Sequence, residues 1–289
     1  METIVLQVRP EGLFCPAGDF FIDPRGQVDR ALITHAHSDH ARSGHNSYLC
    51  SNATQSLMKV RLDSKARVEG MKFGEKRKIG DATVSFHPAG HILGSAQIRV
   101  EVKGHVWVVS GDYKPQVDQT CEPFELVPCH GFISECTFGL PVYRWMPEEL
   151  IHQQINAWWK ENRANRTPSL LFAYSLGKAQ RVLAGLDPEI GPIFVHGAVD
   201  AFVRIYRDLG VNLPVVEKAD PKLDQDYAGA IILAPPAVED SSWTRSFRQA
   251  KRGFASGWMA IRGARRRKNL DRGFVLSDHA DWKGLIEVI

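Results

Sequence analysis

A histidine-rich run directly after a short apolar segment constrains the fold of this chain more than any other feature. Residues 34–40 read Thr-His-Ala-His-Ser-Asp-His and follow the apolar residues 31–33. Alternate side chains of an extended segment share one face, so a strand ending here would point His35 and His37 the same way. Asp39 and His40 would then turn towards a second ion. Imidazole and carboxylate suit zinc, with manganese or iron as alternatives, and the spacing favours a metal site over a solvated loop.

Further candidate ligands recur at the ends of short apolar or glycine-rich segments. They are His91 after Gly90, Asp112 after the run 106–109, Glu135 after the run 131–134, and His279 after the run 273–276. His91 and Asp112 could be plain turn residues, but the repeated placement at strand ends favours metal binding. A carboxylate such as Asp112 can bridge two cations, and Glu135 can serve as an acid or base.

The length and composition are those of an ordinary globular protein. The chain has 289 residues, 44% of them hydrophobic and 24% charged. No apolar run approaches the roughly 20 residues that a bilayer crossing requires, and residues 1–10 do not resemble a signal peptide, so we expect a cytoplasmic protein without a membrane partner. The five cysteines show no C-x-x-C spacing and are expected to be reduced. The final helical run, 282–289, ends with the chain, so we expect a natural C-terminus further on.

Positive charge is concentrated in one stretch. Residues 241–272 carry ten Lys and Arg against one acidic residue, which is a net +9, whereas the whole chain sums to +3. Such a run is either a solvated surface or the binding face for a polyanion, and Trp243, Phe254 and Trp258 within it could stack bases or form core. The candidates for nucleic-acid contact are Arg265, Arg266, Arg267 and Lys268 here, and Ser175, Lys178 and Arg181 at a predicted strand-to-helix junction.

The order of predicted elements indicates an α/β fold. Short strands dominate up to residue 146, and Asn52 is predicted to cap a helix over 53–61. Beyond residue 146, apolar strands alternate with helical stretches, which indicates a parallel sheet. We therefore predict a first part at 1–146, an inserted lobe at 147–269, and a return of 270–289 to finish the first sheet.

These motifs together resemble the β-CASP branch of the metallo-β-lactamase superfamily. The resemblance runs along the whole chain and implies an αββα sandwich with an inserted α/β cap. It implies that His35, His37 and His91 hold one divalent metal, that Asp39, His40 and His279 hold a second, and that Asp112 bridges them. Asp23 would orient the ligand loop. The match departs from the family after Gly257-Trp258, where Met259 stands in place of the histidine expected near the leaving group.

The stretches 137–141, 174–180 and 277–282 look most like the bacterial ligase-associated DNA exonucleases. This resemblance implies a repair enzyme that trims DNA from the 5′ end, works with an ATP-dependent DNA ligase, and leaves 5′-phosphates through attack by a hydroxide held between two metal ions. Asp39, Asp112 and Glu135 would be the catalytic residues. The rival interpretations are an RNA endonuclease or exonuclease, a small-molecule metallo-hydrolase, and a non-catalytic nucleic-acid-binding module.

Overall fold

The computed structural model of the chain describes residues 4–223, 225–261 and 270–289. These residues form two compact units: unit 1 is Met1–Gly139 with Lys283–Ile289, and unit 2 is Leu140–Trp282. The described architecture mixes helices and sheets, as the sequence predicts for an α/β protein. The more specific αββα sandwich stays a prediction. None of the helices in these ranges combines the length and apolarity that crossing a bilayer demands.

The first sheet of unit 1 has six strands in the order of the chain. They are β1 (Gln7–Arg9), β2 (Gly12–Cys15), β3 (Phe20–Ile22), β4 (Arg30–Leu32), β5 (Ser47–Ser51) and β6 (Val68–Met71). Strands β1 to β3 pair antiparallel, and β3 to β6 pair parallel. Because β4 lies inside the sheet, the histidine run that follows it starts from a fixed position.

The second sheet of unit 1 has five strands in the order β11-β10-β9-β8-β7. They are β7 (Arg77–Ile79), β8 (Ala82–Pro88), β9 (Ala96–Val102), β10 (His105–Val109) and β11 (Gly131–Ile133). Apolar side chains of both sheets, such as Leu32 and Leu49 from the first and Val84 and Ile98 from the second, share one core. The two sheets therefore stabilise each other by burying their apolar faces together.

Unit 2 contains one sheet of six strands, all paired parallel, in the order β14-β13-β15-β12-β16-β17. They are β12 (Ser169–Phe172), β13 (Ile193–Val195), β14 (Glu217–Lys218), β15 (Ile231–Ala234), β16 (Lys251–Ala255) and β17 (Arg272–Phe274). Every residue of β12, β13 and β15 is buried, as expected for parallel strands covered on both faces.

Six α-helices are found among the described residues. They are α1 (Asn52–Met58), α2 (Glu148–Ala164), α3 (Lys178–Ala184), α4 (Gly197–Asp208), α5 (Ser242–Arg245) and α6 (Trp282–Val288), with short 3-10 helices at Pro236–Val238 and Gly257–Ala260. The helix predicted at 53–61 ends earlier, at Met58, and its cap is Ser51, not Asn52, because the Ser51 hydroxyl accepts a hydrogen bond from the Thr54 N–H.

The predicted return of residues 270–289 to the first sheet is wrong for its first part. Strand β17 pairs parallel with β16, so it extends the sheet of unit 2. The backbone of Ala255 and Phe274 is in register there, and both residues are buried. Unit 1 resumes only at Lys283.

Candidate metal centre

Three imidazoles of unit 1 converge on one point. The Nε2 atom of His35 lies 3.1 Å from Nδ1 of His37, which in turn lies 3.1 Å from Nε2 of His91. Zinc–nitrogen bonds of 2.0–2.1 Å at tetrahedral angles put neighbouring ligand nitrogens about 3.3–3.4 Å apart, so these three nitrogens are spaced to share one ion. His35 and His91 are fully buried, and buried imidazoles in contact need a cation or protons between them.

Asp112 supplies a carboxylate oxygen between two groups of histidines. Its Oδ2 lies 3.5 Å from Nε2 of His35, 3.7 Å from Nε2 of His91 and 3.6 Å from Nε2 of His40. The ligand atoms of His35, His37, His91 and Asp112 all lie within 4.8 Å of one another. One oxygen of Asp112 is therefore equally close to the three-imidazole group and to His40, which is the position of a bridging ligand.

Glycines allow the turns that carry Asp112 and His91 to approach their neighbours. Gly111 has φ +58°, and a Cβ there would meet the Thr34 side chain at 2.6 Å. Gly90 has φ +71°, and a Cβ there would meet the Lys114 carbonyl oxygen at 2.3 Å. Both positions need a residue without a side chain, so these two glycines fix where the neighbouring ligands stand.

His40 and Asp39 stand on the other side of Asp112. Nε2 of His40 lies 3.8 Å from an Asp39 carboxylate oxygen, and the Asp39 side chain is 72% exposed. Burial by itself would lower the pKa of His40, but the charges of Asp23, Asp112 and Asp39 and the hydrogen bond to Asp23 outweigh it and raise the pKa to about 9. Carboxylates that favour a proton on this ring also favour a metal cation there.

Asp23 holds the start of the ligand loop. Its carboxylate accepts hydrogen bonds from the Thr34 N–H at 2.8 Å, from the Thr34 hydroxyl at 2.6 Å and from Nδ1–H of His40 at 2.7 Å. With Nδ1 of His40 committed to Asp23, Nε2 faces Asp112 as the ligand atom. Sequence reasoning missed Thr34, whose hydroxyl also lies 3.0 Å from Nδ1 of His35. Its only signal was its place directly before His35.

Glu135 follows β11 and is partly exposed. One carboxylate oxygen accepts the Tyr113 N–H at 2.7 Å, and the Glu135 N–H donates to the Ser110 hydroxyl at 3.2 Å. Glu135 lines the same cleft of unit 1 as Asp39, His40 and Asp112. Its side chain is therefore held beside the candidate metal centre.

His279 lies in unit 2, on the segment after β17. The Trp145 indole N–H donates to the His279 carbonyl oxygen at 2.8 Å, and the His279 N–H donates to the Ser277 hydroxyl at 3.1 Å. The neighbouring Asp278 is buried against Lys178, with 2.7 Å between Oδ1 and Nζ. The role of His279 as a metal ligand stays a prediction.

Lys178 and Arg181 do not form the exposed phosphate site that the sequence suggested. The Lys178 side chain is 4% exposed and ion-paired with Asp278, and that of Arg181 is 2% exposed. Arg181 donates a hydrogen bond to the Ser277 carbonyl oxygen at 2.8 Å. Both cations support the segment 277–279 from inside unit 2. Ser175 is half-buried, and its carbonyl oxygen accepts a hydrogen bond from the Gln180 side chain.

The basic segment is described only in part. Arg265, Arg266, Arg267 and Lys268 lie outside the described residues. Of the aromatic residues nearby, Phe254 is buried in the core of unit 2 and Trp243 packs against that core, whereas Trp258 is 45% exposed. The alternative that the aromatics form core thus holds for the first two.

No family model matches the chain. A probable DNA ligase of Opitutus terrae is 32% identical over 96% of this chain and 27% of that protein. The cleavage and polyadenylation specificity factor 73 of Drosophila melanogaster is 25% identical over 80% of this chain and 38% of the relative, and an RNase J-like protein of Methanocaldococcus jannaschii is 24% identical over 62% and 50%. The chain thus spans between about a quarter and a half of the length of these relatives.

Among solved structures, a protein of unknown function from Enterococcus faecalis V583 shares the fold, with a TM-score of 0.57 at 12% identity over 90% of this chain and 72% of that one. The nuclease relatives and the histidine-aspartate motif agree with one another. The chain belongs to the metallo-β-lactamase/β-CASP family.

Proposed function

We propose that this chain is a metal-dependent phosphodiesterase that cuts DNA, trimming it from the 5′ end and leaving 5′-phosphates. The observation that carries the proposal is the position of Asp112, one oxygen of which lies 3.5–3.7 Å from Nε2 of His35, His40 and His91. A single carboxylate shared by two groups of imidazoles suits a pair of cations, and paired cations are the usual means of phosphodiester hydrolysis.

The ligand types and spacing fit two divalent ions, for which zinc is our first choice and manganese or iron the alternatives. His35, His37 and His91 would hold one, Asp39 and His40 the other, and the family resemblance adds His279 to the second. When bound, the cations supply Lewis-acid stabilisation of the negative charge that develops on the phosphoryl oxygens. The proposal extends to the fold, with unit 1 as the αββα sandwich and unit 2 as the β-CASP cap.

The chain's own residues have distinct tasks around these ions. Asp23 keeps His40 in the tautomer that leaves Nε2 free to bind a cation, because it accepts the proton of Nδ1. Glu135 is proposed to hold or deliver a proton for the leaving 3′-oxygen, since its carboxylate lies in the same cleft and Met259 stands where the family has a histidine.

The relative named a probable DNA ligase supports DNA, because its similarity covers almost all of this chain. It also supports a role in DNA repair beside an ATP-dependent ligase. The relatives named as an RNase J-like protein and as the endoribonuclease YSH1 of Saccharomyces cerevisiae, 32% identical over 64% of this chain and 26% of the relative, favour the alternative of RNA cleavage.

The test compares DNA and RNA of one sequence, single- and double-stranded, labelled at either end. Metal-loaded protein should shorten 5′-labelled DNA to mononucleotides first, and a chelator should stop the reaction. Faster cleavage of RNA would move the assignment to the RNA alternative. If neither polymer is cut by protein of measured metal content, the nuclease proposal is overturned, and small phosphoesters or mere binding remain to be assayed.

A further inference from the structure

Beside the candidate metal centre, unit 1 has a cleft of about 680 Å³. Its lining includes Asp39, His40, Asp112 and Glu135. Three arginines from separate parts of unit 1 line the same cleft: Arg9 at the end of β1, Arg25 in the turn after β3, and Arg42 after the histidine run. Nothing in the sequence marks them, because they are far apart along the chain.

All three arginines are exposed, and their few contacts leave the charges available. The Arg9 guanidinium lies 3.5 Å from the centre of the Phe14 ring, and the Arg42 side chain donates to the Asp39 carbonyl oxygen at 3.3 Å. The Arg25 N–H donates to the Glu11 carbonyl oxygen at 2.7 Å, which holds its turn. Within the described ranges, none of the three guanidinium groups is ion-paired with a carboxylate.

We infer that Arg9, Arg25 and Arg42 bind the phosphodiester backbone of the substrate strand as it enters the metal centre. This inference rests on the proposed function. The planar guanidinium matches two phosphate oxygens, and contacts to a backbone position the strand without reading its sequence. The three groups come from three loops around one cleft, so they can follow successive phosphates.

The carboxylates in the same lining oppose this binding until cations neutralise them. Asp23, Asp39, Asp112 and Glu135 all face the cleft. A polyanion should therefore bind the cleft well only when the metal centre is loaded, so the arginines and the cations act on the same strand. Substrate affinity should depend on both.

The test changes all three arginines to alanine and compares that variant with a matched control. Arg67→Ala, Lys72→Ala and Lys78→Ala remove three exposed charges of unit 1 that do not line the cleft. Metal-loaded proteins are assayed on a mixed-sequence single strand of DNA, and on the matched RNA, between 50 and 200 mM salt. Metal content and thermal unfolding confirm that each variant is loaded and folded.

The cleft variant should lose kcat/KM through KM, with kcat within about twofold of wild type. Each lost phosphate contact makes the slope of log(kcat/KM) against log salt about 0.7 less negative for a single strand, so three lost contacts reduce the wild-type advantage by roughly tenfold to twentyfold between 50 and 200 mM. The control variant should change the slope by much less.

Two further variants guard against misfolding. Replacing the three arginines by lysine keeps the charge and should keep most of the salt slope, and Arg25→Ala with Arg42→Ala avoids the Arg9–Phe14 contact and should show about two thirds of the effect. Cleavage with equal slopes in the cleft and control variants would overturn the inference while leaving the nuclease proposal standing. Absence of cleavage by wild type would count against the proposed function instead.

Discussion

The buried ion pair of Lys178 and Asp278 gives a sharp test of how unit 2 is built. The side chains are 4% and 3% exposed, and Nζ lies 2.7 Å from Oδ1. In Lys178→Met the Asp278 carboxylate loses this ammonium group while staying buried, and removal of one partner of such a pair costs about 3–5 kcal/mol. Because Nε2 of His279 lies 3.7 Å from the same oxygen and can share its charge, we expect the lower end of this range.

The measurement is thermal unfolding followed by circular dichroism, together with urea unfolding. A loss of about 3 kcal/mol lowers the melting temperature by roughly 6–12 °C in a domain of this size. The matched control is Lys160→Met, which breaks a surface pair with Asp187 at 3.7 Å where the Lys160 side chain is 62% exposed. An exposed pair contributes less than about 1 kcal/mol, so this control should melt close to wild type.

The opposite pattern would refute this reasoning. If Lys178→Met unfolds like the Lys160 control and instead weakens substrate binding in a salt-dependent way, then Lys178 contacts the nucleic acid as the sequence suggested. A double variant, Lys178→Met with Asp278→Leu, adds a check. It should recover much of the stability, because removing both charges of a buried pair is often neutral or better.

Three further predictions concern the metal centre. Asp112→Asn, His37→Ala and Asp39→Ala should each abolish cleavage while substrate binding falls less, and more than a few per cent activity in all three after metal refilling would count against two-metal catalysis. Asp23→Asn should lower metal affinity about 10–100-fold, measured by competition with a chelator, because His40 loses its charged acceptor; unchanged affinity would deny Asp23 this role. Glu135→Gln should lower kcat roughly 10²–10⁴-fold at full metal content. Loss of metal with activity would make Glu135 a ligand or a structural residue.

The sequence predicted the α/β class well because its signals are local. Apolar runs such as those of β12 and β15 are bounded by turn residues, and their composition alone indicates buried strands. The sheet to which a strand belongs is not a local property. Strand β17 has only three residues, and nothing in them distinguishes a neighbour in unit 1 from β16 in unit 2.

The histidine run was equally informative about ligand types but not about ligand atoms. The structure presents Nε2 of His35 and His91 but Nδ1 of His37 to the common point. That choice depends on side-chain rotamers and on hydrogen bonds such as the one between Thr34 and His35, which no spacing rule contains. The shared position of Asp112 depends in turn on the approach that Gly111 allows.

Charge was the least predictable property, because the sequence shows a cation but not its surroundings. Lys178 and Arg181 begin a helix after a strand, which is the pattern of a phosphate site, yet their partners Asp278 and Ser277 lie about a hundred residues later and enclose them. The reverse holds for Arg9, Arg25 and Arg42, which are scattered along the chain and meet at one cleft. A cation can attract a polyanion only if water or substrate can reach it, since a buried pair has already spent its field on its partner. The exposed arginines of the cleft therefore have a stronger claim to the substrate than the buried cations of α3.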